Sequence, residues 1–219
     1  IIYSNIRKFV FFLLSCNVGE ILIVFIALLM NIPTPLIPIQ LLWLNLVTDS
    51  IPAIMLAFEK KTDDLMENNL SNKYSESFFT PLLTAKIAIG ALIKSVVMLG
   101  LYIYFTKTID VNTAGSLLFI FLIVHELLFS FSCRNIKKSV LNKDIFSNKK
   151  LTLGVFSIIL IQILVLVTPI RKFFIVPNIE LKYIIITICS CLLMLVLGEL
   201  VKPIYTKIFK DYREVKNEK

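Results

Sequence analysis

The chain has 219 residues, 57% of them hydrophobic and 17% charged, with 17 Phe and only 6 Gly. Its apolar residues fall in blocks of about twenty rather than in roughly ten-residue alternating segments, which excludes an ordinary water-soluble domain and a membrane β-barrel. A net charge of +8 would suggest nucleic acid in a soluble protein, but here the basic residues fall mainly beside the apolar blocks, where membrane orientation explains them.

Six blocks can cross a hydrocarbon core of about 30 Å at a rise of about 1.5 Å per residue. They are residues 6–30, 38–58, 82–105, 113–133, 151–170 and 181–201, with polar stretches at 59–81 and 202–219. An all-α membrane protein is expected, a six-transmembrane-helix bundle. The chain opens Ile1-Ile2-Tyr3-Ser4, with no initiator Met and no cleavable leader, so a piece of something longer is expected. No repeat and no inverted pair of broken helices appears, which argues against many secondary carriers.

In the first block, "SCNVGE" sets Asn17 and Glu20 three residues apart on one helical face, with Gly19 permitting close approach of a neighbour. The proline-broken "NIPTPLIP" that follows makes a tight hairpin with the second block. There "NLVTD" places Asn45, Thr48 and Asp49 on one face, and Pro52, lacking an amide hydrogen, is expected to loosen the helix after Asp49. The stretch 59–77 is polar and mixed in charge, a solvated loop rather than a site of chemistry.

The third block carries Lys94 near its middle, too deep to reach either interface easily. It either pairs with a neighbouring helix or neutralises a buried carboxylate and stands in for one cation. The fourth block holds His125 and Glu126; His125 lies about 100° around the helix from Glu126 and reads as a packing or interhelical hydrogen-bonding residue rather than a proton relay. Of the cysteines, Cys16, Cys189 and Cys191 lie in apolar runs and Cys133 at the end of one, without CxxC spacing, so reduced buried thiols are expected.

Orientation follows from the Lys and Arg count. One side collects Arg7, Lys8, Lys60, Lys61, Lys73, Arg134, Lys137, Lys138, Lys143, Lys149, Lys150 and the tail; the other has Lys107, Arg171, Lys172 and Lys182. Both termini, the 59–81 loop and the 202–219 tail are therefore expected to be cytoplasmic.

A carboxylate at the centre of a membrane helix costs about 2.5 to 3.5 kcal/mol even on insertion scales, so Glu20, Asp49 and Glu126 at bilayer depth need a common reason. The donors are all oxygens: amides of Asn17 and Asn45, the Thr48 hydroxyl and three carboxylates. That set suits a hard alkali or alkaline-earth cation rather than a soft metal. Hydrogen bonding between helices explains Asn45 or Thr48 taken singly, but helix adhesion does not require two carboxylates at matched depth.

These residues carry a resemblance. "SNIRKFVFFLLSCNVGEILIVF" followed by "IPIQLLWLNLVTDSIPAIMLAFEKKTDDLM" resembles the fifth and sixth transmembrane helices of type II P-type ATPases, most nearly the sarco/endoplasmic reticulum-type calcium pumps and their bacterial relatives. The other four spans then correspond to helices seven to ten. The resemblance implies calcium ligands at Asn17, Glu20, Asn45, Thr48 and Asp49, and the alignment of "VHELLFSFSCRN" adds Glu126. With acids at both the Glu20 and Glu126 positions, a second ion site is open.

The motifs DKTGT, TGES and GDGxND of that family are absent, as is a Walker-type glycine loop. The resemblance therefore implies a partner: an N-terminal half with the first four helices and the actuator, phosphorylation and nucleotide domains, through which ATP and Mg²⁺ would act. Alone, this chain is expected neither to hydrolyse ATP nor to bind ions tightly. The expected location is integral and multi-pass, in the plasma membrane if the source is bacterial. Two rivals stay open: the same scaffold pumping Na⁺, H⁺ or Mg²⁺, and a non-catalytic membrane subunit or helical bundle.

Overall fold

A computed structural model describes residues 2–58, 81–135 and 145–217. The expected loop at 59–81 lies almost wholly outside them, as do Lys60, Lys61, Lys73, Lys137, Lys138 and Lys143. The described residues form helices without a strand, and six helices are long and apolar enough to span a membrane. These are α1 (Ile2–Leu29), α2 (Pro38–Ala57), α3 (Pro81–Thr108), α4 (Val111–Ser132), α5 (Lys149–Val167) and α6 (Leu181–Asn217). The chain is an integral, multi-pass membrane protein.

Helix ends follow their local chemistry. Asp110 caps α4, accepting from the Thr113 amide at 2.9 Å and the Thr113 hydroxyl at 2.6 Å. Asn148 caps α5 by accepting from the Leu151 amide at 3.0 Å. Asn31, at a φ of 54°, ends α1 in the left-handed conformation that Asn tolerates, and the Ile32 amide reaches back to the Ala27 carbonyl at 3.1 Å. Pro38 opens α2 at a position where its missing amide hydrogen costs nothing.

α6 does not stop where the apolar block ends; it continues unbroken through the basic stretch to Asn217. Helix α4 is the axis of the bundle. Of its apolar window 78% is buried, against 17% for α6, and it packs against α3, α6 and the middle of α2. Around it, α1 packs against α2 and α3, and α5 lies on α2. Outward positions are large and apolar, among them Ile21, Leu29, Leu153, Phe156, Val167 and Leu193. A helix apolar all round with only one stripe buried is what lipid as solvent selects.

The hairpin loop lies close against the axis. A Cβ on Gly115 would stand 2.9 Å from the Pro35 carbonyl oxygen, so only glycine lets α4 and the loop approach this closely. Tyr102 of α3 donates to the Pro33 carbonyl at 3.1 Å from the other side. After α5, the turn at Pro169–Lys172 returns Phe174 onto α2 and α4. There Phe174 packs edge-on against Trp43, stacks on Phe119, and lends its carbonyl to Gln40 at 3.0 Å.

Candidate functional site

The site forms where α2 stops being a regular helix. It is α-helical from Pro38 to Trp43, widens into a π-helical turn over Leu44–Asp49, and resumes as α-helix from Ser50 to Ala57. The expected loosening after Asp49 is thus corrected: the irregular turn ends at Asp49, and regular α-helix resumes at Ser50. The reason is directional, because the amide hydrogen that proline lacks would have served a carbonyl one turn earlier. Ser50 Oγ donates to the Asn45 carbonyl at 3.0 Å within this widened turn. Such π-turns cost backbone regularity and recur at functional positions.

Glu20, Thr48, Asp49 and Glu126 are all buried, the last three completely. None of the carboxylates points to lipid. Asn45 Nδ2 donates to Glu20 Oε2 at 3.0 Å, joining α1 to the π-turn, and also to the Leu41 carbonyl at 2.9 Å. Asp49 and Glu126 each bring a carboxylate oxygen into one group with the thiol of Cys16, all three atoms within 4.8 Å of one another. Asn17 stands apart from these contacts; half-buried, it donates to the Leu13 carbonyl of its own helix at 2.8 Å.

Several of these groups have no partner. Both carboxylate oxygens of Asp49, Oε1 of Glu20, Oε2 of Glu126 and the Thr48 hydroxyl are buried without a hydrogen bond. A buried polar atom left unpaired costs about 1 to 3 kcal/mol and a charged one more, so a cluster of five such atoms is costly to fold unless something else satisfies it. The elements α1, α2 and α4 converge carboxylates on one buried region, and the groups that converge are acceptors.

Two participants were not in the sequence-based set. Cys16 could have been found, since it lies four residues before Glu20 and so shares its helical face. Lys94, expected to pair with a neighbouring helix or to neutralise a buried carboxylate, meets Glu126. Its Nζ lies 2.8 Å from Glu126 Oε1, with both side chains almost wholly buried. Room for it comes from Gly19: a Cβ there would lie 3.0 Å from Lys94 Cδ and 3.4 Å from Nζ. Beside it, Ser95 Oγ lies 3.3 Å from the Gly19 carbonyl and 2.7 Å from that of Ala91.

His125 is buried between Phe121 and Phe129, its ring nearly parallel to both at centroid distances of 5.9 and 5.7 Å. It packs. The cysteines are free thiols, but only Cys16, Cys133 and Cys191 are buried; Cys189 is exposed on α6, a correction that follows from how little of that helix the bundle covers. A second buried polar group went unrecognised. Glu199 of α6 accepts from Lys202 at 2.6 Å and from the Ser132 hydroxyl, while Lys202 also donates to the carbonyls of Ser132 and Asn135. The i, i+3 spacing of Glu199 and Lys202 was its sequence signal.

The family described as "Cation transporting ATPase, C-terminus" matches residues 33–204. The chain is 32% identical to "Calcium-transporting ATPase 1" of Bacillus cereus over 218 aligned residues, covering 92% of this chain and 24% of that protein. It is 36% identical to "Calcium-transporting ATPase" of Bacillus subtilis over 169 residues, covering 77% of this chain and 19% of that protein. The chain thus spans about a quarter or less of the length of these relatives. With a buried, unpaired carboxylate cluster at its centre and the family matched over most of its length, this chain belongs to the cation-transporting ATPase C-terminal family.

Proposed function

We propose that this chain is the transport region of an ATP-driven calcium pump and holds the transported ion between α1, α2 and α4. The observation that carries the reading is Asp49: completely buried, in a π-turn, with both carboxylate oxygens unpaired and one of them in a group with Glu126. A divalent cation entering there would meet carboxylate oxygens of Asp49 and Glu126, the free oxygen of Glu20 and the Thr48 hydroxyl. These are five oxygens, and the side-chain oxygens of Asn45 and Asn17 would bring the set within the six to eight that Ca²⁺ takes at about 2.3 to 2.6 Å. Asn45 orients Glu20 by its amide donors and can offer its side-chain oxygen. Asn17 would join by a change of rotamer, releasing the Leu13 carbonyl.

ATP chemistry, with its Mg²⁺, would belong to an N-terminal half carrying the first four helices and the actuator, phosphorylation and nucleotide domains. The match to about a quarter of two calcium-transporting ATPases supports that division over a free-standing helical bundle. With six crossings both termini face the same side, and the excess of Lys and Arg there makes that side the cytoplasm. In a bacterial cell the membrane is the plasma membrane. Movement of the Glu20 face of α1 against the Asp49 face of α2 would dismantle the oxygen cluster and release the ion.

The test is phosphorylation of the complete pump by radiolabelled ATP. Phosphoenzyme that forms at micromolar Ca²⁺ and is lost in Asp49→Asn supports the reading. Phosphorylation indifferent to Ca²⁺ but governed by Na⁺, H⁺ or Mg²⁺ overturns calcium in favour of another ion on the same scaffold.

A further inference from the structure

Lys94 is a cation built into the carboxylate cluster, and the proposed function makes no use of it. It stands at the middle of α3, its side chain 4% exposed, with Nζ bonded to an oxygen of Glu126 that is itself completely buried. Gly19 of α1 lacks the side chain that would fill this space, and Ser95 bonds the Gly19 carbonyl one residue further along. Lysine beside a glycine-made recess is a fitted position, and it lies between two residues of the acidic group: Glu20 follows Gly19 in α1, and Glu126 receives the ammonium.

Adhesion alone explains the pair poorly. A buried ion pair contributes little more to stability than well-packed apolar side chains of the same volume, and often less. At bilayer depth, apolar residues are also the default. What Lys94 changes is the charge of the site. Glu20, Asp49 and Glu126 with Lys94 leave two negative charges, which one divalent cation neutralises. Two divalent cations would set five positive charges against the three carboxylates this chain supplies, in a medium where each uncompensated charge is costly.

We infer that Lys94 is a tethered cation occupying the place of a second ion beside Glu126, so that the pump carries one divalent ion per cycle. Glu126 then serves two cations: Oε1 holds the ammonium, and the unpartnered Oε2 is left for the transported ion. This rests on the pump reading above. Gly19 is a positioning residue in it, keeping open the channel through which the lysine chain reaches Glu126.

The test counts ⁴⁵Ca²⁺ occluded per phosphorylated site in the complete pump. One Ca²⁺ per site in the wild-type protein is expected, rising toward two in Lys94→Met, with Lys94→Arg holding the wild-type ratio. A purely structural role would lower the yield of pump in Lys94→Met without moving the ratio. Two Ca²⁺ per site in the wild-type protein, with Ca²⁺-dependent phosphorylation intact, overturns the tethered cation and leaves the pump reading standing; that measurement decides the matter even if Lys94→Met does not fold. Phosphorylation that ignores Ca²⁺ overturns the pump reading, and the inference with it.

Discussion

Asn45 holds Glu20 across the first hairpin, its amide nitrogen 3.0 Å from Glu20 Oε2 and 2.9 Å from the Leu41 carbonyl. A single side chain thus ties a π-turn of one helix to a carboxylate of another, and it does so through donors, leaving its oxygen and Glu20 Oε1 available. Asn45→Ala should free Glu20 to rotate and remove one ion-facing oxygen. Hydrogen bonds to charged groups contribute about 1.5 to 3 kcal/mol, so the calcium concentration for half-maximal phosphorylation should rise by about ten- to a hundred-fold. A calcium titration of phosphoenzyme checks it, and an unchanged midpoint would detach Asn45 from the site.

Asp49 has both carboxylate oxygens buried without a hydrogen bond, so an amide that can donate should stabilise the ion-free protein while abolishing the response to the ion. Asp49→Asn is expected to melt above the wild type in chelator and to show no shift on adding Ca²⁺. The wild-type protein should gain about 2.7 kcal/mol at a hundred-fold excess over Kd. The buried thiols of Cys16, Cys133 and Cys191 supply the readout, since a thiol-reactive dye labels them only as the bundle opens. An Asp49→Asn protein that melts below the wild type in chelator would show that Asp49 is already compensated.

Pro52 controls the register of the site. With an amide hydrogen restored at this position, the turn over Leu44–Asp49 can close as ordinary α-helix, rotating Asn45 relative to Asp49. Pro52→Ala should therefore keep the fold and raise helix stability while weakening calcium-dependent phosphorylation at least about tenfold. Equal loss of both, or loss of neither, would separate the π-turn from ion binding.

The number of helices and the acidic residues were legible because the membrane reduces folding to a coarse choice: every spanning segment must satisfy its own backbone, and each ionisable group inside it stands out against an apolar run. Glu20, Asp49 and Glu126 were visible for that reason. Pairing was not legible, because sequence spacing reports only neighbours on one helix. Lys94 and Glu126 are 32 residues apart, and only the packing of α3 against α4, with the recess at Gly19, shows that they meet. The irregular turn has a local cause in Pro52, but it ends at Asp49 instead of following it, because the missing amide hydrogen leaves the carbonyl four residues earlier without its helical partner.

Gly115 should be the least tolerant glycine in the chain. A methyl group there meets the Pro35 carbonyl oxygen at 2.9 Å, a backbone atom that cannot swing away, so Gly115→Ala must push α4 from the hairpin loop. Overpacking of this kind costs about 1 to 3 kcal/mol. Gly90 and Gly100, whose Cβ positions meet nothing within 4 Å, should accept alanine with a gain of up to about 1 kcal/mol from helix propensity. Thiol-labelling melts of the three variants compare them directly, and a Gly115→Ala protein as stable as Gly90→Ala would show that the loop does not press on α4.

Asp110 lies outside the spans, where its titration can be reasoned about simply. The hydroxyl and amide of Thr113 hold its carboxyl below the usual carboxylate range, since both donate to the ionised form. A carboxyl whose folded pKa is depressed contributes stability that is present above its unfolded value, near 3.8, and lost as pH falls through the folded value. The cap should therefore be at full strength at neutral pH and fade only below about pH 4. Asp110→Ala is expected to cost about 0.5 to 2 kcal/mol at pH 7, toward the lower figure because the group is exposed and screened by solvent. Asp110→Asn, which can still accept from Thr113, should keep most of that stability and lose the acid dependence contributed by this residue. Melting temperatures of the three proteins between pH 3 and 7 decide it: if Asp110→Asn fades with acid as steeply as the wild type, the sensitivity belongs to other carboxylates.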